Sequence, residues 1–171
     1  MKKRFLAVLL LLAAGIALLC YTGRFRSYTT AEAYQADGGR DFILPPEEAE
    51  SCRFLQRRLI FSKLYMSAFT LPADAAAQFE AGLTEKYSLN TPEPAKGSPA
   101  YWYGRTAGEC ADESEGLDAF PLHLPFSRLT DRDINGAKVI VYSPAGTGGR
   151  TCGILTFPGT QEYICVEYLS R

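Results

Sequence analysis

The chain has 171 residues, is 47% hydrophobic and 22% charged, and carries 18 Lys and Arg against 19 Asp and Glu, a formal net charge of −1. The charge is uneven: residues 1–26 hold Lys2, Lys3, Arg4, Arg24 and Arg26 and no acid, which leaves 13 basic and 19 acidic residues beyond them, or 13 − 19 = −6. An acidic remainder of this size supports one domain with its own core and argues against nucleic acid or another polyanion as partner, because such binding needs clustered Lys and Arg.

Residues 5–22 form an uncharged run between those two basic groups. As a helix rising about 1.5 Å per residue, the apolar stretch from Phe5 to Cys20 covers most of a roughly 30 Å hydrocarbon core. Residues 1–4 therefore read as a cytoplasmic tail and 5–22 as a transmembrane anchor, with the bilayer as its partner. The greater positive charge before the run predicts that the remainder is extracytoplasmic, on a single-pass protein of the cell membrane. A secreted form needs small residues just past the run, yet Leu18 and Leu19 close it. A lipoprotein needs a small residue before its cysteine, and Leu19 precedes Cys20.

Residues 23–43 are polar and contain Gly38-Gly39, the composition of a stalk or linker. Residues 44–171 read as an α+β domain with two helices and an antiparallel sheet. The first helix is predicted from Pro45-Pro46, with Glu47, Glu48 and Glu50 near its start, Arg53, Arg57 and Arg58 near its end, and Cys52, Leu55 and Leu59 as its inward stripe. Ile60 to Leu71 reads as a strand stopped by Pro72, and Asp74 to Tyr87 as the second helix, with Ala75, Ala76, Phe79 and Leu83 on one face. Ser88 to Pro99 is a loop. Tyr101-Trp102-Tyr103 reads as a short aromatic strand that packs in the core or presents a ligand surface. Gly108 to Asp118 reads as a solvated acidic loop. Ala137 to Tyr142, Thr151 to Phe157 and Glu162 to Tyr168 form a three-stranded C-terminal meander, with Ile164, Val166 and Tyr168 facing the core.

Several constellations resemble chemistry. Asp131-x-Asp133-x-Asn135-Gly136 opens like a helix-flanked calcium loop, but Tyr142 occupies the closing position that needs a bidentate acid, so the segment reads as a turn. Gly146 to Arg150 lacks the Lys-Ser/Thr ending of a phosphate loop and runs into a strand. Glu109, Asp112, Glu113, Glu115 and Asp118 cluster in sequence without the rigid cleft that paired catalytic carboxylates require. No Cys-x-x-Cys pair is present, and a single histidine cannot complete the usual zinc sets, so no metal or other cofactor is expected.

Between His123 and Arg171, the set of residue types His123, Cys152 and Arg171 on a tethered β-rich domain resembles a sortase transpeptidase. That resemblance implies Cys152 as nucleophile, His123 as its assisting group and Arg171 as holder of the acyl oxyanion. Gly149-Arg150-Thr151-Cys152 stands where the family has Thr-Leu-x-Thr-Cys. Against this cysteine-dependent transpeptidase or hydrolase stands the favoured reading: a non-catalytic extracytoplasmic module that binds an envelope protein or a wall component.

Cys52, Cys110, Cys152 and Cys165 permit two disulfides in three connectivities. With Pro158-Gly159 at the tip of the last hairpin, Cys152 falls opposite Cys165 within disulfide reach. A longer loop shifts the register by two and puts Ile154 opposite Cys165 instead.

Overall fold

The computed structural model describes residues 8–16, 23–59, 61–90, 98–113, 124–143 and 149–170. Its frame is a six-stranded antiparallel sheet in the order β1-β2-β3-β6-β5-β4. The strands are β1 (Phe25–Tyr28), β2 (Glu50–Arg58), β3 (Ser62–Thr70), β4 (Lys138–Ser143), β5 (Arg150–Thr156) and β6 (Glu162–Ser170). Among the described residues beyond 8–16, four helices accompany them: α1 (Ala31–Ala36), α2 (Ala73–Tyr87), α3 (Pro99–Trp102) and α4 (Ala107–Glu113). The chain is thus α+β, and its last three strands form the expected meander.

The segment expected to be a stalk is folded. Strand β1 begins at Phe25 and pairs antiparallel with β2, and α1 follows it directly. Tyr34 of α1 is fully buried, stacks on Phe54 at 5.0 Å between ring centroids, and accepts a hydrogen bond from the Arg40 amide at 2.7 Å. Gly39 lies against that ring: a Cβ there would sit 2.2 Å from Tyr34 Cε1. The glycine pair therefore permits a close approach, where composition alone suggested a flexible spacer.

The helix expected from Pro45 is the strand β2. Its charge gradient suited a helix dipole, but Phe54, Leu55 and Gln56 are consecutive buried residues, as on a strand covered from both sides. Pairing with β1 on one side and β3 on the other overrides local preference here. Near its start the strand absorbs an extra residue between Glu50 and Arg53, with Ser51 at φ 51°.

Both sheet faces are dry. Leu55, Leu64, Met66, Leu155, Ile164 and Val166 face one layer, closed by Trp102, Cys110, Phe126 and Leu129. Phe54, Tyr65, Phe69, Ile154, Tyr163 and Cys165 face the other, closed by Tyr34, Ile43, Ala76 and Leu83. The face of β6 bearing Ile164 and Val166 is buried as expected, and the opposite face is buried too.

The connection from β3 to β4 passes over both layers. Helix α2 packs on the Phe54 face, and α3 and α4 pack on the Leu55 face. The expected strand at Tyr101 is the end of helix α3: Trp102 is buried, its ring meets Tyr142 edge-on at 5.9 Å, and Tyr103 is exposed. The chain then runs along the outer side of β4, where Gly104 and Ala107 donate to Val139 and Ala137 and Val139 donates to Arg105. These bonds cover an edge that would otherwise offer open backbone groups.

The last hairpin corrects the cysteine register. Phe157-Pro158-Gly159-Thr160 is a turn with Gly159 at φ 75° and a Thr160 N to Phe157 O bond of 3.1 Å, the type II geometry that Pro-Gly favours. Such a turn does not match the twist of a two-residue hairpin, so pairing resumes only at Phe157 and Glu162. Cys165 consequently faces Ile154, and Cys152 faces Glu167. Neither cysteine is in a disulfide.

Residues 8–16 are helical, and among the described residues no helix is long and apolar enough to cross a membrane. The remainder of the 5–22 run lies outside the described residues.

Trp102→Ala should lower unfolding free energy by about 3–5 kcal/mol in urea titrations, as expected for a deleted core aromatic. Tyr103→Ala, next to it but exposed, should stay within about 0.5 kcal/mol of the parent.

Candidate functional site

Antiparallel register places one polar residue from every strand in a single row across the Phe54 face: Arg26, Gln56, Tyr65, Glu167, Cys152 and Ser143. A strand face that is otherwise apolar tolerates such a row only if each polar group finds a partner. For Arg26, Gln56 and Glu167 that demand is met at two carboxylates.

Glu167 is the first. Its side chain is fully buried, and its two oxygens are held by Arg40 and Arg150. Arg40 donates from Nε to Oε2 at 3.2 Å and from Nη2 to Oε1 at 3.4 Å, and Arg150 places its Nε 2.7 Å from Oε1. Both arginines are about half exposed, at 47% and 49%, so the acid is neutralised from the rim of the core. Arg150 also lies over the Phe42 ring at 5.7 Å.

Asp37, just after α1, is the second. It receives Arg26 Nη1 at 2.7 Å together with the Tyr28 hydroxyl and the Gln56 amide. The Tyr28 and Arg26 hydrogen bonds hold its carboxyl below the usual carboxylate range. Arg58 donates to the Asp37 backbone carbonyl, tying the end of β2 to the same turn.

Cys152 sits beside Glu167 in a buried position, and burial pushes its thiol up, with Arg150 opposing. A thiol so placed is a poor nucleophile near neutral pH, since reactive cysteines have lowered values and some access. Cys165 is pushed up to about 12 by burial. His123 and Arg171, the other members of the expected cysteine set, lie outside the described residues, as do Gly146 to Gly148.

The remaining sequence candidates serve local structure. Asp133 Oδ1 accepts from the Asn135 amide at 3.0 Å and its side-chain nitrogen at 2.9 Å, capping the short turn Ile134–Gly136. Glu109 accepts from Thr106 N at 2.7 Å and returns its own amide to Thr106 Oγ1 at 3.2 Å, a reciprocal cap that opens α4. Its Thr-x-x-Glu spacing starts at Thr106, just before the segment read as an acidic loop, and the first six residues of that segment are helical. Glu113 pairs with Arg105. Glu115 and Asp118 lie outside the described residues. Of the three aromatic residues, Trp102 fills the core, Tyr101 packs partly against it with its hydroxyl on Glu113 at 3.2 Å, and only Tyr103 offers a largely exposed ring. Among the described residues no three His, Cys, Asp or Glu side chains come together as metal ligands.

On the opposite face a cavity of about 230 Å³ is lined by Phe25, Leu59, Leu64, Leu124 and Tyr168, with Arg57 among its walls. It is mainly apolar, with Ser62 beside Arg57 as its polar lining, and sequence reasoning had no signal for it because its walls come from five separate segments.

The chain matches no protein-family model, no curated protein and no solved structure. Function must come from the residues themselves.

Arg40→Ala or Arg150→Ala alone should cost about 1 kcal/mol in urea unfolding, because the other arginine still faces Glu167. The double variant should cost about 3–5 kcal/mol, more than the sum, since it strands a buried carboxylate. Asp37 gives a pH signature. A carboxyl lowered in the folded state stabilises above its unfolded value, near 3.9, and loses that contribution as pH falls through the folded value. The stability gap between the parent and Asp37→Asn should therefore be constant above about pH 5 and close toward pH 2.

Proposed function

We propose that this chain is a membrane-tethered, non-catalytic binding module: residues 5–22 act as an uncleaved single span and the domain beyond stands on the extracytoplasmic side, where it engages an envelope protein or wall component. The observation that carries the reading is the state of the N-terminal apolar helix. Leu10, Leu11, Leu12 and Ile16 are 63%, 74%, 59% and 59% exposed. Exposing that much contiguous aliphatic surface to water is unfavourable, at about 25 cal/mol per Å² of apolar area, and a bilayer removes the cost.

The non-catalytic part rests on the engagement of the reactive groups. Glu167 in the polar row and Asp37 beside it are held by arginines, and Cys152 is buried with a raised thiol. Burial without a lowered value favours a packing role over a cysteine-dependent transpeptidase or hydrolase.

Protease added to intact spheroplasts should remove the domain while an epitope at the amino terminus stays protected. Domain found in the medium without protease would show cleavage instead. Iodoacetamide at neutral pH should modify Cys152 only after urea unfolding; rapid labelling of the native chain would restore the enzyme reading.

A further inference from the structure

Strand polarity gathers most of the basic residues of the sheet at one of its ends. The end at which β1 begins also holds the close of β2, the start of β3, the start of β5 and the close of β6. Its charged side chains are Arg24, Arg26, Arg57, Arg58, Lys63 and Arg150, and Arg128 joins them by lying 4.5 Å from the Phe25 ring centroid while Arg57 lies 4.9 Å from it. Among the described residues, the acids Asp37 and Glu167 of this end are already held by Arg26, Arg40 and Arg150. The far end carries Glu47 and Glu48 before β2, Glu50 at its start, Asp74 at the start of α2, Glu162 at the start of β6, and Asp131 and Asp133 before β4, with Arg53, Lys138 and the Arg132 that pairs with Glu162 as the bases among them.

Two further observations fall on the basic end. Phe61, in the β2–β3 turn, is 71% exposed, the most exposed large apolar side chain described in the folded domain. The apolar cavity lined by Phe25, Leu59, Leu64 and Tyr168 opens among the same strand ends. Only Gly23 and Arg24 separate Thr22 from Phe25, so the start of β1 is at most about 11 Å of chain from the end of the apolar run. That reach is comparable to the Debye length of about 8–10 Å, within which surface charges act.

We propose that the basic end of the sheet is a second membrane-contact surface: Arg24, Arg57, Lys63 and Arg128 meet anionic phospholipid headgroups of the leaflet that faces the domain, and Phe61 enters the interfacial layer beside them. This rests on the anchor reading above. The surface fits a bilayer because cation and apolar ring lie side by side at the end the chain must bring near it, the combination that binds peripheral segments to anionic membranes. The net acidity of the domain then keeps the far end away from the same headgroups.

The test uses the full-length chain carrying Phe61→Trp, reconstituted in vesicles of brominated phosphatidylcholine with or without phosphatidylglycerol. Trp102 is buried and supplies a constant background. Emission from position 61 should be quenched in the anionic vesicles and recover in high salt. Lys63→Glu with Arg128→Glu should reduce the population in contact by more than tenfold, at about fivefold for each basic charge removed. Equal quenching in neutral and anionic vesicles would overturn the proposal, since tethering alone explains it. Absence of quenching in protein that resists alkaline carbonate extraction would overturn it while leaving the anchor intact. Protein stripped by carbonate would overturn the anchor reading and this proposal together.

Discussion

A sheet whose two faces are both dry needs a cover on each, and most of what is particular to this chain follows from that constraint. Six antiparallel strands supply the two faces, and the segments between β1 and β2 and between β3 and β4 supply the covers. The cover over the Phe54 face is assembled from two short pieces, α1 and the turn at Asp41–Ile43, beside the fifteen-residue helix α2. Short pieces leave a rim, and the rim is where Glu167 and Asp37 are met by arginines that keep one side in water. Guanidinium suits the task because its stem packs along apolar surface while its fork satisfies a carboxylate.

How much of this was legible depended on whether an element is specified locally. The meander was legible because each strand is a β-rich run bounded by turn residues, and α2 because its apolar residues repeat at helical spacing over fifteen positions. Strand β2 was not. Its sequence Glu-Ser-Cys-Arg-Phe-Leu-Gln-Arg-Arg has no β-branched residue, and only its two neighbours in the sheet make it a strand. The segment around Gly38-Gly39 failed for a related reason: the contact with Tyr34 that makes glycine necessary is tertiary, and composition reports only that glycine is present. The cysteine register turned on the twist of a single turn at Pro158-Gly159, which shifts every cross-strand pair by two.

The candidate site was partly written in the last strand. Tyr163, Cys165 and Glu167 were separable from Ile164, Val166 and Tyr168 by alternation, but the partners of Glu167 lie 127 residues away at Arg40 and on the next strand at Arg150. Net charge was similarly incomplete. A total of −6 beyond residue 26 describes the domain as seen from a distance, whereas antiparallel topology decides which strand ends share a surface. Here the basic ends coincide, so the local sign at one end opposes the sign of the whole.

The position of β1 has a mechanical meaning. It is the first folded element after the apolar run, it is only four residues long, and it has a neighbour on one side alone. If the proposed anchor holds, tension on the tether would load this short edge strand first. Peeling β1 would draw on α1 and the Tyr34 contact behind it while the five remaining strands stayed paired, so the domain contains its own extensible leash between Phe25 and the start of β2. Extended, those 25 residues could add about 80 Å of reach.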